Sequence, residues 1–245
     1  MEMLGIDIGG SGIKGAIVDT DAGEFASERL RLDTPQPAKP APVAEIVAEI
    51  AARFDWRAAI GCTFPARVQH GVTKTAANVD DSWIGTNARQ LFESQTGNSV
   101  IVLNDADAAG IAEMKFGAGR GHKGLVVILT LGTGVGSSLF INGRLVPNTE
   151  FGHLVIRGKA AELRTADRAR QAKGYSWKRW SKHLSEHLCY LEFLISPDLF
   201  IIGGGVSKKS ERFLHLIDCK TTIVPAQLRN RAGIVGAALA AADMK

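Results

Sequence analysis

Cysteine is scarce in this chain, because only Cys62, Cys189 and Cys219 occur among its 245 residues. An odd and scattered set of three offers neither a disulfide framework nor the close ligand spacing of a zinc site. It is typical of a protein kept in a reducing compartment. We interpret the three cysteines as small core residues.

Long apolar runs and a basic N-terminal region are also missing. No stretch is long enough to span a bilayer, and residues 1–10 lack the positively charged start of a secretion signal. We therefore expect a cytoplasmic protein without a membrane anchor. A hydrophobic content of 45% and a charged content of 22% are ordinary for a globular chain that buries one or two cores.

Acidic residues are rare in one region, Arg157–Lys182, which we call the basic segment and which has nine basic residues against two acidic ones. The formal net charge of the chain is only +4, so the remaining residues are mildly acidic. A solvated helical face is the ordinary explanation of such a run, and a docking surface for a polyanion is the alternative. Trp177 and Trp180 stand at helical spacing, so they are expected to pack inward and to leave Lys178 and Lys182 facing solvent.

Glycine, by contrast, is concentrated in the stretch "LGIDIGGSGIKGAIVD" at Leu4–Asp19. A P-loop would need Ser or Thr after Lys14, but Gly15 follows it. A dinucleotide fingerprint would need a helix after the glycines, yet the β-branched Ile13 and Ile17 are spaced as in a second strand. The stretch predicts a hairpin whose glycine turn exposes backbone N–H groups.

Two further glycine clusters follow apolar strands. "TLGTGVGSSLFINGRLV" at Thr130–Val146 repeats the hairpin plan, and "LFIIGGGVSKK" at Leu199–Lys209 places three glycines before a helix that is predicted to open at Ser207. A single glycine turn is commonly only a tight turn. Three of them, each at the end of a strand and one at a helix N-terminus, predict a cleft lined with backbone donors for a chain of phosphates.

The hydrophobic pattern alternates between strands and helices, which predicts an α/β fold. Strands are predicted at Met3–Ile8, Ile13–Asp19, Ala58–Thr63, Val100–Leu103, Leu125–Thr130, Gly136–Ile141 and Leu199–Ile202. Helices are predicted at Pro42–Phe54, Asn87–Gln95, Ala106–Phe116, Trp177–Ile195, Lys208–Ile217 and Asn230–Ala242. Ser176 is predicted to cap the helix that begins at Trp177.

Polar side chains stand where one of these strands ends. Asn104 and Asp105 separate a buried strand from a helix, a position at which open α/β sheets bind ligands. Either residue could simply cap the helix, whereas a functional carboxylate there could accept a proton from an attacking hydroxyl. Glu150 and His153 lie in "TEFGHLVI" and could contact a sugar's hydroxyl groups, although a lone histidine is usually structural.

The motifs "DIGGSGIKGA", "NDADAAG", "LGTGVGSS", "EFGH" and "IIGGGVSK", in this order, resemble the ROK family of sugar kinases. Within that family, "TAANVDDSWIGTN", "FGAGRGHKG", "SWKRW" and "PDLFIIGGGVSKK" are most similar to the polyphosphate glucokinases. Many ROK kinases have a cysteine-rich zinc site after their Glu-x-Gly-His motif. No cysteine follows His153 until Cys189, so no structural zinc is expected.

The resemblance implies phosphorylation of the 6-hydroxyl of glucose, with polyphosphate or ATP as donor and Mg²⁺ as cofactor. It implies that Asp105 is the general base and that Asp7 orients Mg²⁺ through water. The implied sugar ligands are Asn78, Asn104, Asp105, Glu150, His153 and, as a weaker candidate, Glu162. The implied phosphate and nucleotide ligands are Asp7, Gly9, Gly10, Ser11, Gly12, Lys14, Gly132, Thr133, Gly134, Gly203, Gly204 and Gly205, of which the last three would flank adenosine.

The implied architecture is the two-lobed actin–hexokinase fold, which is ribonuclease H-like and binds sugar and phosphates in a cleft between its lobes. The small lobe would run from Met1 to about Ala108, with the last helix in residues 231–245 packing back on it. The large lobe would be residues 109–230. The expected partners are glucose, polyphosphate and a second copy of the chain in a homodimer, without nucleic acid or membrane, and mannose use is left open.

Four rival functions compete with this one. A ROK repressor would carry a DNA-binding helix-turn-helix ahead of the first strand, whereas this chain starts on that strand at Met3. An actin-like filament protein would have no use for Glu150 and His153, and a non-catalytic sugar-binding regulator is a weaker alternative. A strictly ATP-dependent hexokinase for glucose, mannose or a related sugar is the serious alternative among enzymes.

Overall fold

The computed structural model describes residues 1–77 and 79–244. It confirms a mixed α/β fold, and the chain divides into two compact units. The first unit comprises Met1–Ala112 and Arg231–Lys245, and the second comprises Glu113–Asn230. The sequence-based expectation places the division slightly earlier, after Ala108.

The regular elements follow one another in short alternating runs. The strands are β1 (Glu2–Ile8), β2 (Gly12–Asp19), β3 (Glu24–Phe25), β4 (Leu30–Asp33), β5 (Ile60–Phe64), β6 (Val68–Gln69), β7 (Val72–Thr73), β8 (Val100–Asn104), β9 (Leu125–Leu131), β10 (Val135–Ile141), β11 (Arg144–Val146), β12 (Val155–Ile156), β13 (Lys159–Ala160), β14 (Leu199–Gly203) and β15 (Thr222–Pro225). The α-helices are α1 (Pro40–Arg53), α2 (Ala88–Thr96), α3 (Asp105–Phe116), α4 (Glu162–Thr165), α5 (Asp167–Ala172), α6 (Trp177–Ile195) and α7 (Ala232–Ala242). Short 3₁₀ segments occupy Asp81–Trp83, Phe151–His153, Gly205–Arg212, Leu214–Leu216 and Arg229–Arg231.

The main sheet of the first unit has the strand order β3-β2-β1-β5-β8, and β4 also pairs with β2. The predicted hairpin is confirmed, because β1 and β2 pair antiparallel with Ile8 opposite Ile13. Strands β1, β5 and β8 run parallel. Their carboxyl ends therefore meet at one edge, where Asp7 is paired with Thr63 and Phe64 with Asn104.

Helix α7 packs against this sheet at unusually short range. It consists almost entirely of small apolar residues that are buried. A methyl group at Gly61 would collide with the backbone carbonyl of Ala237, and one at Gly236 would collide with that of Ala108. Glycine at these two positions lets the backbones of α7, β5 and α3 come together and fixes α7 against the strand ends.

An aromatic cluster lies in the core of the first unit, together with buried residues of α1 and α2. Phe64 and Trp83 have ring centroids 4.4 Å apart, and Trp83 and Phe92 have centroids 6.0 Å apart. The buried indole of Trp83 donates a hydrogen bond of 2.8 Å to the Ala38 carbonyl. This bond satisfies the one polar group that burial of the ring would otherwise leave unpaired.

The main sheet of the second unit has the order β11-β10-β9-β14-β15. Here too the predicted glycine hairpin is confirmed, since β9 and β10 pair antiparallel with Val135 opposite Leu131. Strands β9 and β14 are parallel, with Gly203 opposite Thr130. The glycine turn after β9 and the glycines at the end of β14 thus lie at the same edge of the sheet.

The predicted packing of α6 is confirmed. Trp180 is fully buried in the second unit, and its ring lies 5.0 Å from that of Phe213. Trp177 stacks on the same phenylalanine at 5.8 Å. Ser176 caps the helix by accepting a hydrogen bond of 3.2 Å from the Arg179 N–H. With the tryptophans facing inward, Lys178 and Lys182 are exposed.

The α-helix predicted over Lys208–Ile217, with Ser207 opening it, is wrong. Two 3₁₀ segments, Gly205–Arg212 and Leu214–Leu216, occupy this part of the chain, and Lys209 has non-helical dihedral angles. Residues 207–212 contain no apolar side chain. A helix there would have no stripe to bury, and helical stability in proteins comes mostly from such packing.

The prediction that all three cysteines are core residues is confirmed for one of them and is wrong for the other two. Cys62 is fully buried, but Cys189 and Cys219 are only partly buried. Helices α4 and α5, both inside the basic segment, were not predicted, because their short runs contain too few turns to display a helical period. Among the described ranges, no helix has the length and apolar composition needed to cross a membrane.

Candidate active site

Asp7 lies at the carboxyl edge of the first unit's sheet, held by two neighbours. Its Oδ1 accepts a hydrogen bond of 2.8 Å from the Thr63 hydroxyl, and its Oδ2 lies 3.3 Å from the Lys14 ammonium. A Cβ at Gly233, in the first turn of α7, would lie 3.2 Å from Oδ1. The carboxylate is thus fixed in direction by Thr63 of the neighbouring strand and Lys14 of the hairpin, and Gly233 leaves room for it beside α7.

The turn between β1 and β2 is held through its carbonyl groups. Thr34 donates to the Gly9 carbonyl at 2.5 Å, Gln36 to that of Gly10 at 2.9 Å, and Arg31 to that of Ser11 at 3.1 Å. Among the described residues, the N–H groups of Gly10 and Ser11 have no hydrogen-bond partner. The turn can therefore present backbone donors to an anion.

Asn104 and Asp105 have different surroundings at the end of β8. The Asn104 side chain caps α3, since its Oδ1 accepts from the N–H of Ala106 at 2.8 Å and of Asp107 at 3.2 Å. Its amide donates to the Ala66 carbonyl at 3.1 Å. Asp105 is exposed as the first residue of α3. Asn104 thus caps the helix, and the exposed Asp105 carboxylate also accepts from the Ala106 N–H at 2.8 Å.

The glycine turn of the second unit is also held in place. Gly132 donates to the Gly134 carbonyl at 3.0 Å, and the Gly132 carbonyl accepts from the Arg168 N–H at 3.1 Å. Glu162 packs on this turn, because its Oε2 accepts from the Val135 N–H at 3.2 Å. Within the described part of the chain, the N–H groups of Thr133 and Gly134 make no hydrogen bond.

Glu150, His153 and Glu162 come together in the second unit. The His153 ring lies between the two carboxylates, with Nε2 at 3.6 Å from Glu150 and Nδ1 at 3.7 Å from Glu162. The imidazole is well exposed, and both carboxylates are partly exposed. Two acceptors flanking a histidine present several hydrogen-bonding groups to a polyhydroxylated ligand.

Two side chains, of Ser137 and His187, hold the Phe151–His153 turn that supports this group. Ser137 on β10 accepts from the Phe151 N–H at 2.9 Å. His187 on α6 donates from Nε2 to the Phe151 carbonyl at 3.0 Å. A Cβ at Gly152 would collide with the Val135 carbonyl, so only glycine lets the turn lie this close to β10.

His187 is kept neutral by its surroundings. Burial lowers its pKa to about 4, against the opposing effect of the bond to Phe151. The neutral ring carries a proton on one nitrogen, and the carbonyl of Phe151 requires that this be Nε2. The sequence singled out neither His187 nor Thr63, since both lie inside regular elements without any motif.

The glycines after β14 lie beside the turn after β9. Gly204 has a φ of 81°, and a side chain on it would collide with the Leu131 backbone. The Ser207 hydroxyl donates to the Gly204 carbonyl at 2.8 Å. Because a 3₁₀ segment follows in place of an α-helix, the expected helix N-terminus at this edge is absent from residues 205–217.

The basic segment contains both paired and unpaired cations. Arg157 and Arg164 contact Glu186, and although burial opposes it, these guanidinium groups lower the pKa of that carboxyl. Lys178 and Lys182 are exposed and make no ion pair with any described residue. Only part of the segment is therefore neutralised within the protein.

Asn78, expected to contact the sugar, lies outside the described residues, so the structure gives it no position. The structure does bring the other expected residues into two groups. In the first unit these are Asp7, Gly9, Gly10, Ser11, Gly12, Lys14, Asn104 and Asp105. In the second unit they are Gly132, Thr133, Gly134, Glu150, His153, Glu162, Gly203, Gly204 and Gly205.

Comparison with known proteins identifies relatives along nearly the whole chain. Residues 3–168 match the model of the ROK family. The chain is 52% identical to the polyphosphate glucokinase of Mycobacterium tuberculosis over 238 residues, which cover 97% of this chain and 90% of that protein.

Solved structures agree with this relationship. The inorganic polyphosphate/ATP-glucomannokinase from Arthrobacter sp. strain KM is 50% identical, with a TM-score of 0.91 and coverage of 98% of both chains. A ROK family glucokinase from Streptomyces griseus, solved in complex with glucose and AMPPNP, is 25% identical. Its TM-score is 0.81, with 97% of this chain and 98% of that chain covered.

Proposed function

The chain belongs to the ROK family, and from that premise we propose that it transfers a phosphoryl group from inorganic polyphosphate, and also from ATP, to the 6-hydroxyl of glucose. The similarity to polyphosphate glucokinases over almost the entire chain supports this donor and this sugar. One structural observation carries the reaction. Asp105 directly follows β8, at the sheet edge that also holds Asp7 and Lys14.

Asp105 acts as the general base in this proposal. The 6-hydroxyl oxygen attacks the terminal phosphorus of the donor while its proton passes to the Asp105 carboxylate. The bond from that phosphorus to the bridging oxygen breaks, and the donor leaves one phosphate shorter. Exposure of the carboxylate at the first turn of α3 supports this role, because a substrate hydroxyl must be able to reach it.

Each glycine turn is able to stabilise negative charge on a phosphate. Gly10 and Ser11 in the first unit, and Thr133 and Gly134 in the second, offer backbone N–H groups without partners among the described residues. Lys14 adds a positive charge. Phosphoryl transfer depends mainly on positioning and on charge stabilisation, so preorganised donors of this kind supply much of the rate enhancement.

Asp7 fits the proposed magnesium cofactor. Mg²⁺ prefers hard oxygen ligands and keeps several waters, so one fixed carboxylate is enough to position the hydrated ion. Thr63 and Lys14 hold the Asp7 carboxylate in a single orientation. Bound Mg²⁺ would neutralise charge on the donor phosphates.

The sugar's remaining hydroxyls are assigned to Glu150, His153 and Glu162, with further contacts from Asn78 and Asn104. Carboxylates accept hydrogen bonds from sugar hydroxyls, and the imidazole can donate one. The close grouping of the first three residues supports their joint use. Asn104 is the weakest of the five, because capping already occupies its amide oxygen.

The proposal includes a cytoplasmic homodimer. Three unpaired cysteines suit a reducing compartment. Helix α6 exposes Tyr190, Phe193 and Leu194, of which Phe193 is 82% exposed, and large exposed apolar side chains are typical of association surfaces. Light scattering should give twice the chain mass, and Phe193→Glu should reduce it to a monomer.

A donor assay tests the proposed reaction. Purified protein with Mg²⁺ and glucose receives either polyphosphate or ATP, and ³¹P NMR monitors the sugar phosphate. We expect glucose 6-phosphate with polyphosphate, and no product from 6-deoxyglucose, which lacks the acceptor oxygen. If product forms with ATP but not with polyphosphate, the protein is the ATP-dependent hexokinase instead. If glucose binds but neither donor gives product, a sugar-binding regulator is favoured. Mannose in place of glucose measures sugar tolerance.

A further inference from the structure

The second unit contains a group of metal-ligating side chains that the proposed reaction does not use. Cys189 and Glu192 lie one turn apart on α6, and Cys219 lies in the loop before β15. Their two sulfur atoms and one carboxylate oxygen all lie within 4.8 Å of one another. The two cysteines are far apart in the sequence, so only the packing of α6 against this loop brings them together.

The separation of these atoms is close to what a tetrahedral ion requires. Zn–S bonds of about 2.3 Å at tetrahedral angles place two sulfur ligands roughly 3.8 Å apart. Ligand atoms that already lie within 4.8 Å need only small side-chain movements to reach that spacing. The three residues are partly buried, so an ion can reach them from solvent.

Glu192 is held in position by its own hydrogen bonds. Its Oε1 accepts from the Thr221 N–H at 2.6 Å, and the Thr221 hydroxyl lies 2.6 Å from the same oxygen. On the other side, the Cys189 thiol donates to the Asp218 carbonyl at 3.0 Å, and this bond is given up when the thiol loses its proton to an ion. The two bonds from Thr221 remain and orient the Glu192 carboxylate as a ligand.

Although the cysteine pattern of the sequence predicts no structural zinc, we propose that Cys189, Glu192 and Cys219 form a binding site for Zn²⁺, with water as the fourth ligand. Two thiolates and one carboxylate suit this ion of intermediate softness, whereas Mg²⁺ and Ca²⁺ take oxygen ligands only. Binding releases one proton from each thiol. A bound ion ties α6 to the loop before β15, so it stabilises the folded second unit.

Metal titration of the whole chain tests the site. Protein stripped with a chelator, and kept reduced by a phosphine, is titrated with Zn²⁺ against a chromophoric competitor, and separately with Co²⁺. We expect one equivalent of Zn²⁺ to bind, a sulfur-to-cobalt charge-transfer band to appear, and the melting temperature to rise with Zn²⁺.

Variants locate the ligands. Cys189→Ser and Cys219→Ser should each weaken Zn²⁺ binding by more than ~100-fold, since even loss of a supporting residue typically costs 10- to 100-fold. Glu192→Gln should weaken it less. Two control variants leave the three ligands in place. Cys62→Ala removes a cysteine elsewhere in the chain and Glu211→Gln removes an exposed carboxylate, so the Zn²⁺ affinity of both should be unchanged.

A measurement on the unaltered chain tests the site without any substitution that could cause misfolding. Alkylation followed by peptide mass spectrometry should show that Zn²⁺ protects Cys189 and Cys219. Absence of an equivalent of bound ion, binding that survives both serine variants, or alkylation that Zn²⁺ does not slow would each overturn the site. A Cys189–Cys219 disulfide forming in protein that lacks Zn²⁺ affinity would assign the pair to redox chemistry instead.

Discussion

Thr63 on β5 donates a hydrogen bond of 2.8 Å to Oδ1 of Asp7 on β1. The same hydroxyl accepts the Ile8 N–H at 3.3 Å, so its proton is directed to the carboxylate. Thr63 is fully buried and Asp7 is its register partner across the parallel strands. The orientation of Asp7 is thus set by a residue on the neighbouring strand.

Replacing Thr63 by Val should remove this orientation with little change in shape. We expect turnover to fall about tenfold and the Mg²⁺ concentration for half-maximal rate to rise by a similar factor, as for loss of a residue that supports a metal ligand. Mn²⁺ binding followed by electron paramagnetic resonance gives a readout independent of turnover. Thr63→Ser should restore both, and the equally buried Thr20→Val is the matched control. Normal values in Thr63→Val would limit Thr63 to a structural role.

Asp105→Asn should abolish proton acceptance while preserving the shape of the side chain. We expect turnover to fall by at least about a hundredfold, the low end for removal of a general base. Calorimetry should still detect glucose binding, because the loss concerns the transition state. The exposed Asp55→Asn is the control. Near-normal turnover in Asp105→Asn would show that Asp105 is not the general base and serves only at the start of α3.

The basic segment should matter for long polyphosphate more than for ATP. In the proposed reaction only the terminal phosphates of polyphosphate are bound by glycine turns, so the rest of that polymer would need positive charge along the surface. Lys178→Gln with Lys182→Gln should raise the KM for long polyphosphate several-fold and change that for ATP little, because each screened contact contributes modestly. The polyphosphate reaction should also weaken more steeply with salt.

Lys173→Gln is the informative comparison for that pair. The Lys173 ammonium contacts the Leu163 carbonyl, which keeps its charge but restrains its side chain, so its removal should affect the polyphosphate KM less than removal of Lys178 or Lys182 alone. Equal effects of the double variant on both donors, or none on either, would make the segment a solvated face. Arg120, Lys123 and Lys208 would then be the next positions to change.

The stability of the second unit should depend on pH through His187. Its pKa is about 4 in the folded protein and 6.5 in the unfolded chain. Below pH 6.5 the unfolded state therefore binds more protons, so stability is fully present above that value and is lost as the pH falls towards 4. The loss is on the order of 3 kcal/mol for a shift of this size.

Thermal unfolding measured between pH 4 and pH 7 checks this effect. His187→Gln should lower stability at pH 7 and flatten the dependence in this window, while exposed His215→Gln should leave it unchanged. A variant with the same slope as the natural chain would assign the acid sensitivity to other groups. His183 is one of these, because burial and then the neighbouring Arg164 lower its pKa as well.

The local pattern of the chain was enough to predict both glycine hairpins, the capped helix α6 and the α/β class. In each of these features the residues that interact are close together in the sequence. Ile8 and Ile13 flank one turn, and Ser176 caps a helix that begins at the next residue. The order of the motifs was likewise sufficient to indicate the ROK family.

Prediction failed where the local sequence pattern was weak or was consistent with two different local structures. The glycines before Ser207 indicated a helix start, but residues 207–212 had no apolar stripe to stabilise it, and 3₁₀ turns formed. From sequence, either Asn104 or Asp105 could cap α3, and Asp105 was the candidate base. The tertiary structure directs the Asn104 side chain to the start of α3 and to Ala66, while the Asp105 carboxylate accepts from the Ala106 N–H.

The sequence by itself therefore determined the α/β class, the two glycine hairpins, the capped helix α6 and the family of this protein. Only the tertiary structure decided which distant residues support the candidate site, as Thr63 does for Asp7 and His187 for the turn at Phe151. It also placed Cys189 beside Cys219. The physical reason is that parallel strands and packed helices join residues far apart in the chain, and those pairings follow from burial of the whole core, which no short stretch of sequence encodes.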